Sequence, residues 1–550
     1  MKKKGPNFIE QIIEGDISRG FKKDDLRFRF PPEPNGYLHI GHLKAICLNF
    51  NLGEKYGAPV NLRFDDTNPE KEAKEYVDAI KNDILWLGYK WNKECYASDY
   101  FEQLYNWALV LIEKDLAFID SQSSEDIANQ KGTPTKEGKA SPYRDRDIKE
   151  SLKIFKEMHN GDHKQGEHVL RAKINMSSPN MLMRDPVIYR AMDSNHHRTG
   201  DSWKIYPMYD WTHGESDYIE QVSHSLCTLE FEPHRELYDW FLDSISPLKG
   251  IRPKQREFSR LNLSYTITSK RNLAKLVEEG VVGGWDDPRM PTISGLRNRG
   301  YTPESLKSFA LTVGISKREN VIDVSLLEFC VRSHLNEEAP RAMAVLDPLK
   351  ISIINYKENK EESVNFDINP QKPGQGKREI LFSKNIYIER EDFQENPEEG
   401  FFRLSLGEEV RLKNAYIIKA TNIIKNEDGQ ITEVECEYDE KSKSGSNTEE
   451  SNRKVKATIH WVSAETAEPA TINIYDRLFK VPEPGKSQDL LSEVNENSLE
   501  IKSAKVEPYL ASTKEGDHFQ FQRLGYFVRT NNKKTLEFNK TVGLRDGWKK

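Results

Sequence analysis

The 550-residue sequence contains only five cysteines, Cys47, Cys95, Cys227, Cys330 and Cys436. They stand far apart and form no C-x-x-C pair, which excludes a disulfide framework or a zinc knuckle; reduced thiols and no structural zinc or other metal site are expected. No apolar run is long enough to span a bilayer, so no membrane partner is expected. The basic start, Met1-Lys2-Lys3-Lys4, runs into Gly5-Pro6-Asn7 and an amphipathic segment over 8–13 instead of the apolar core of a signal peptide, and the expected compartment is the cytoplasm. A surplus of positive charge is also missing. The formal net charge of −7 argues against a purely electrostatic nucleic-acid binder. Lys254, Arg256, Arg260, Lys270, Arg271, Arg297 and Arg299 gather positive charge in the middle of the chain, where each cluster by itself reads as a solvated face. The length allows several domains of about 100–200 residues.

The most informative stretch is Pro31-Pro32-Glu33-Pro34-Asn35-Gly36-Tyr37-Leu38-His39-Ile40-Gly41-His42-Leu43-Lys44-Ala45. It follows an alternating run over 26–30 that reads as a strand, and it opens a helical pattern with Leu43, Ile46, Cys47 and Phe50 on one face. Prolines fix the turn, and Asn35 and Gly36 tolerate positive φ. The helix N-terminus suits a phosphate through its unpaired N–H groups and partial positive charge. His39 and His42 share one face of the first turn, and Gly41 permits close approach. By themselves they fit either a packed histidine pair or two donors holding oxygens that gain charge at a phosphoryl centre.

Along the chain, 60–66 reads as a second strand ending in Asp65 and Asp66, where ligands of open α/β sheets bind; the two aspartates would equally serve as helix caps. A helix is expected from Asn68 and Pro69 through Leu87. Residues 98–205 break the α/β pattern and read as an inserted domain. The nucleotide fold is expected to resume over 204–210, with Tyr209 and Asp210 at a strand end, followed by a helix over 224–229 and a strand over 255–261. Residues 267–334 are helical, and beyond 348 short alternating runs indicate barrel-like β structure. The expected division is a nucleotide fold over 1–97 and 206–262, the insertion over 98–205, a helical connector over 263–340 and two β-barrels over 341–550.

The segment around His39 and His42 resembles the HIGH signature of class I aminoacyl-tRNA synthetases in its glutamyl/glutaminyl form. Ser259-Arg260-Leu261-Asn262-Leu263, followed by Thr266-Ile267-Thr268-Ser269-Lys270-Arg271, resembles the KMSKS loop of the same class. The likeness runs from Asn7 to Asp546. It implies a Rossmann-like class I catalytic domain with an inserted acceptor-binding domain, a helical connector and two C-terminal antiparallel β-barrels that grip an anticodon. The implied reaction activates L-glutamine with ATP, carried as its Mg2+ complex, and transfers it to the 2′-hydroxyl of the terminal adenosine of tRNA(Gln), with the enzyme acting as a monomer. A glutamyl-tRNA synthetase of non-bacterial type is the nearest alternative.

The resemblance assigns His39, His42 and Lys270 to catalysis. It assigns Glu33, Pro34, Asn35, Ile40, Gly41, Leu43, Lys44, Ala45, Thr228, Arg260, Leu261, Thr268 and Ser269, with those three, to ATP. Thr268 stands where the family commonly has methionine. Asp65 matches the residue that receives the substrate ammonium, and Tyr209, Arg29, Cys227 and Gln255 match the surroundings of the side-chain amide. Cys227 occupies a position where related glutamyl enzymes tend to carry arginine, and a neutral pocket favours glutamine over glutamate. Arg341, Arg403, Gln520 and Arg523 match anticodon contacts. Gly214-Glu215 and the acidic 397–400 segment depart from the family pattern.

Overall fold

The computed structural model describes residues 5–245, 248–358, 360 and 362–545; Met1 to Lys4 and Asp546 lie outside them. The chain divides into two compact units, Met1–Asn262 with Ala310–Ile322, and Leu263–Phe309 with Asp323–Lys550.

The first unit opens with helix α1, Phe8–Ser18. Asn7 Oδ1 accepts from the N–H groups of Ile9 and Glu10 while Glu10 returns a bond to the Asn7 N–H, a capping box that sets where the helix begins. Strand β1 (Phe28–Phe30), helix α2 (Ile40–Tyr56), strand β2 (Val60–Phe64), helix α3 (Lys74–Trp86) and strand β3 (Glu94–Tyr96) form a parallel three-stranded sheet with helical crossovers. Gly57 ends α2 at φ 66°, a left-handed cap that costs a glycine little. α3 begins later than its Asn68-Pro69 signal suggests. Asn68 N–H bonds the Glu72 carboxylate and Ala73 N–H bonds Pro34 O, so this stretch is held as a loop across the signature turn.

The insertion follows as α4 (Phe101–Glu113), β4 (Ala117–Asp120), α5 (Ser124–Gln130), α6 (Ile148–Asn160), β5 (Val169–Ala172), β6 (Val187–Ala191) and β7 (Ile205–Pro207). Its four strands pair antiparallel in chain order, and their apolar face packs with α4 and α6 around Phe101, Leu104, Phe155 and Tyr189. α7 (Tyr209–Ile219), β8 (His224–Thr228), α8 (Arg235–Ser244) and β9 (Lys254–Phe258) complete this unit's main elements; the strand expected to resume the nucleotide fold over 204–210 is instead β7, the last strand of the insertion's sheet, and Tyr209 opens α7. β8 corrects the helix expected over 224–229. It is a strand buried at four of its five positions and parallel to β9, and such a strand lacks the alternation that would separate it from a buried helix. Ser223 N–H bonds Arg27 O at 3.0 Å, which brings β8 beside β1 and joins the two parallel groups.

In the second unit, helices Lys270–Glu278, Ile293–Asn298 and Val324–Glu338 precede two seven-stranded, barrel-like sheets. They carry parallel pairs as well as antiparallel ones: Pro348–Ile353 runs parallel to Ile431–Asp439, and Arg341–Ala342 parallel to His518–Phe521. The sheets are nested in sequence. Strands Arg341–Ala342 and Ala344–Val345 belong to the sheet otherwise built from 468–542, and the other sheet is assembled from 348–463 in between.

Candidate active site

The signature turn delivers α2 with both histidines locked by backbone. His39 is the N-cap, its Nδ1 accepting from Gly41 N–H at 3.1 Å, and His42 Nδ1 accepts from His39 N–H at 3.1 Å. Each neutral ring therefore carries its proton on Nε2, a tautomer assigned from these bonds. The rings lie 3.9 Å apart between centroids, so two Nε2–H donors stand side by side at a helix N-terminus. Gly41 is required here: a Cβ would come within 2.9 Å of the His39 ring. The same virtual atom lies 3.7 Å from Leu261 O, which places the end of the β9 segment against the signature.

Other residues assigned to this end divide by environment. Ile40 and Leu43 are core residues of α2. Asn35 Nδ2 donates to the exposed Glu33 carboxylate, Pro34 is buried, and Ala45 and Thr228 are half-buried. Lys44 is buried, donates to Ser259 Oγ at 2.8 Å, and is pushed down to about 8 by burial. Arg260 is exposed and pairs with Glu230. Thr268, Ser269 and Lys270 belong to the second unit, where Lys270 opens its helix after Ser269 at the N-cap.

The second group is a buried ionic network. Arg29, wholly buried on β1, donates through Nε to Asp217 Oδ1 at 2.9 Å, through Nη1 to Leu226 O at 3.0 Å and through Nη2 to Ser225 Oγ at 2.6 Å. Arg63 on β2 donates to Asp65 Oδ1 and to Asp217 Oδ1, each at 2.7 Å. Burial raises Asp65 to about 6 despite Arg63, whereas for Asp217 the two guanidiniums overcome burial and hold the carboxyl far below its ordinary range. His213 Nε2 faces Arg29 Nη2 at 3.3 Å and must accept there, so its Nδ1–H points to Tyr209 Oη at 3.2 Å. Burial lowers His213 to about 3, with Arg29 and Arg63 adding to that shift; the ring is neutral. Cys227 Sγ lies 3.6 Å from His213 Nε2, and burial pushes its thiol up. Gln255 commits its amide N–H groups to Phe231 O and Glu257 Oε1, both at 2.8 Å, and so stands behind this network.

His213, Asp217 and Arg63 were missed in the sequence. A signal was present for the first two: positions 209, 213 and 217 recur every four residues, one face of a helix. Arg29 and Arg63 sit on parallel strands in which Arg29 is opposite Asn61, so all three side chains share a sheet face. Asp66 has a different task from Asp65. It accepts from Ser98 N–H at 2.8 Å and Oγ–H at 2.7 Å, and the N-cap of α3 is Ala73, so neither aspartate caps that helix. Asp66, His196 and His197 place possible ligand atoms within 4.8 Å of one another. In His196, however, Nδ1 accepts from the N–H groups of Arg198 and Thr199 while Nε2 meets Asp66 O at 2.9 Å, so both nitrogens are engaged in holding the loop.

Glu215 is the sharpest departure from expectation. It lies on α7 with no exposure, and neither carboxylate oxygen has a hydrogen-bond partner among the described residues; burial raises its pKa well above the ordinary value. A carboxyl that is protonated when folded and ionised when unfolded stabilises most below the unfolded pKa and loses that stability as pH rises toward the folded one. Glu215→Leu, of similar volume, is therefore expected to raise the melting temperature. The gain should grow from pH 5 to pH 8 at up to about 1.4 kcal/mol per pH unit. Melting curves across that range check it, and a pH-independent gain would contradict it.

In the second unit the four residues matched to anticodon contacts form two pairs. Arg341 and Gln520 are opposite one another on parallel strands, with Arg341 bonding Ala339 O and Asn336 O. Arg403 and Arg523 converge on the buried Asp392, Arg523 through two bonds of 2.6 and 2.7 Å. The 397–400 segment is exposed.

Three family descriptions match this chain: tRNA synthetases class I (E and Q), catalytic domain, over residues 25–337, and two anti-codon binding domains of the same class over 339–439 and 458–530. Glutamine--tRNA ligases from Vibrio vulnificus and Cronobacter sakazakii are each 52% identical over 99% of this chain and 98% of their own length. The Vibrio campbellii ligase is 53% identical over the same shares. With the HIGH turn, the paired parallel groups and the C-terminal barrels in place, the chain belongs to the class I (E and Q) tRNA synthetases, within the glutamine--tRNA ligase family.

Proposed function

We propose that the protein is a class I glutamine–tRNA ligase. It activates L-glutamine with ATP to glutaminyl-adenylate and transfers the glutaminyl group to the 2′-hydroxyl of the terminal adenosine of tRNA(Gln). The carrying observation is the charge state of the buried network. Arg29 is matched by Asp217 and His213 is neutral, so among the described residues the pocket offers a neutral amide a home and a second carboxylate no uncommitted cation. Asp65 supports the same reading. Its Oδ2 is buried and without a hydrogen-bond partner among the described residues while Oδ1 is held by Arg63, which suits it to receive a substrate ammonium. With His213 donating to Tyr209 Oη, the Tyr209 hydroxyl proton is directed elsewhere and can meet the side-chain amide oxygen.

In the first step the substrate carboxylate attacks the α-phosphorus of ATP and pyrophosphate leaves. The Nε2–H groups of His39 and His42 hold α-phosphate oxygens as they gain charge, and Lys270 stabilises charge on pyrophosphate. In the second step the ribose hydroxyl attacks the activated carbonyl and AMP leaves. Neither step needs a strongly basic side chain, and positioning with charge stabilisation supplies the catalysis. ATP enters as its magnesium complex, the enzyme works as a cytoplasmic monomer, and Arg341, Arg403, Gln520 and Arg523 read the anticodon, where splayed bases suit polar side chains. The test is aminoacylation of purified tRNA(Gln) and tRNA(Glu), each with radiolabelled glutamine and glutamate. Label on tRNA(Gln) from glutamine alone is expected, and transfer of glutamate would overturn the proposal.

A further inference from the structure

We propose that Arg63 is the positioning residue that turns one oxygen of Asp65 toward the substrate ammonium and locks that end of the pocket to the Asp217–Arg29 end. This rests on the reading above that Asp65 receives the ammonium. Arg63 is wholly buried near the C-terminal end of β2, and its planar fork fixes two carboxylates at once: Nε takes Asp65 Oδ1 and Nη1 takes Asp217 Oδ1, each at 2.7 Å. Asp217 Oδ1 is also the acceptor for Arg29 Nε at 2.9 Å, so an unbroken chain of charge-assisted bonds links Asp65, Arg63, Asp217 and Arg29. Glu220 Oε1 lies 3.4 Å from Arg63 Nη1. The two guanidiniums and the carboxylates of Asp65, Asp217 and Glu220 together carry one net negative charge, which a bound ammonium cancels. Asp65 Oδ2 is left buried and without a hydrogen-bond partner among the described residues, so the oxygen presented to the substrate is the one Arg63 does not use.

A buried ion pair can also be merely structural, and pH separates the two roles. The groups around Asp65 are Arg63, Arg29 and Asp217 within the network, together with Tyr209 on α7 and Glu72 from the loop before α3. Burial raises both Tyr209 and Glu72, Glu72 to about 9, which leaves them neutral near pH 7; the arginines are charged throughout. Ammonium binding needs Asp65 ionised, so kcat/KM for glutamine should fall below about pH 6 in the natural protein. In Arg63→Gln the opposing cation is gone, and this acid limb should move up by about 1–3 pH units, with activity recovering at higher pH and the KM for ATP unchanged. In Arg63→Lys the charge remains but the fork is lost; the limb should stay near pH 6 while the KM for glutamine rises about tenfold.

The experiment is steady-state aminoacylation of tRNA(Gln) from pH 5.5 to 8.5 with varied glutamine and ATP, on both variants and on Asp65→Asn. A uniform loss in Arg63→Gln at every pH, with the limb unmoved, would overturn the positioning role. Should that variant fail to fold, an unchanged glutamine KM in Arg63→Lys would overturn it equally. Asp65→Asn separates the layers: a natural glutamine KM there removes the ammonium reading itself, whereas a raised KM with an unmoved Arg63→Gln limb overturns only this inference.

Discussion

His42→Ala is expected to slow glutaminyl-adenylate formation by about 10²–10³-fold, the loss typical of removing one preorganised donor from a developing oxyanion. The bond from His39 N–H to His42 Nδ1 fixes which nitrogen carries the proton. Alanine removes both the donor and this cap, yet the cap is worth only about 1 kcal/mol to a helix end, so the fold should survive. The discriminating measurement is single-turnover consumption of ATP at saturating glutamine and tRNA(Gln), beside a melting curve. A large drop in the rate of the chemical step with a small shift in melting temperature is expected. A rate within threefold of the natural enzyme would remove His42 from the chemistry. Because the two rings lie against one another, tilted by 35° with centroids 3.9 Å apart, the His39→Ala, His42→Ala double variant should lose less than the product of the single losses.

Asp65→Asn is expected to raise the KM for glutamine about 100-fold, about 2.7 kcal/mol, while the KM for ATP stays within twofold. The substitution preserves shape and removes the charge that meets the ammonium, together with its pairing to Arg63. It also abolishes a titration. In the natural enzyme Asp65 protonates near pH 6, so glutamine binding should weaken as pH falls through that value; in the variant the KM should be flat there. Replacing glutamine by the analogue lacking its α-amino group closes the argument, because that compound should be discriminated against by the natural enzyme and hardly at all by Asp65→Asn. A variant that kept its preference for the amine would place the ammonium elsewhere.

How far the sequence could be read follows from the range of the forces involved. The strand before Pro31, the helix after His39 and the stop at Gly57 are decided by backbone chemistry within a few residues and were legible, whereas the turn itself reaches α2 without the positive φ expected of Asn35 or Gly36. Strand β8 was misread because full burial erases the alternation that marks a half-exposed strand, and whether a run is buried depends on partners such as β9, about 30 residues away in sequence. The same limit hid Arg63. Within Val60-Asn61-Leu62-Arg63-Phe64 it looks like an exposed strand residue, and only the arrival of α7, more than 150 residues later, supplies Asp217 and makes burial tolerable. Local motifs therefore carried the family and the nucleotide end, while the glutamine end was assembled from long-range pairs. The resemblance named Asp65, Arg29 and Tyr209 there but said nothing of what holds them. Arg341 and Gln520 show the same limit, since residues 179 apart in sequence pair in one sheet.

The interleaving of the two compact units has a consequence for how this chain can mature. Ala310–Ile322 belongs with the first unit although 263–309 does not. The returning segment is bound in: Ser316 O accepts from Ser259 N–H at 2.7 Å, Glu319 takes the N–H of Arg260 at 3.2 Å, and Lys317 lies over the Phe8 ring at 5.2 Å. A nascent chain therefore cannot finish its catalytic half when residue 262 leaves the ribosome. It must wait for about 60 more residues, and until then the ends of α1 and β9 lack their closing strap. An excised fragment ending at 262 would meet the same gap permanently, so the shortest piece of this protein able to behave as a natural first unit extends through Ile322.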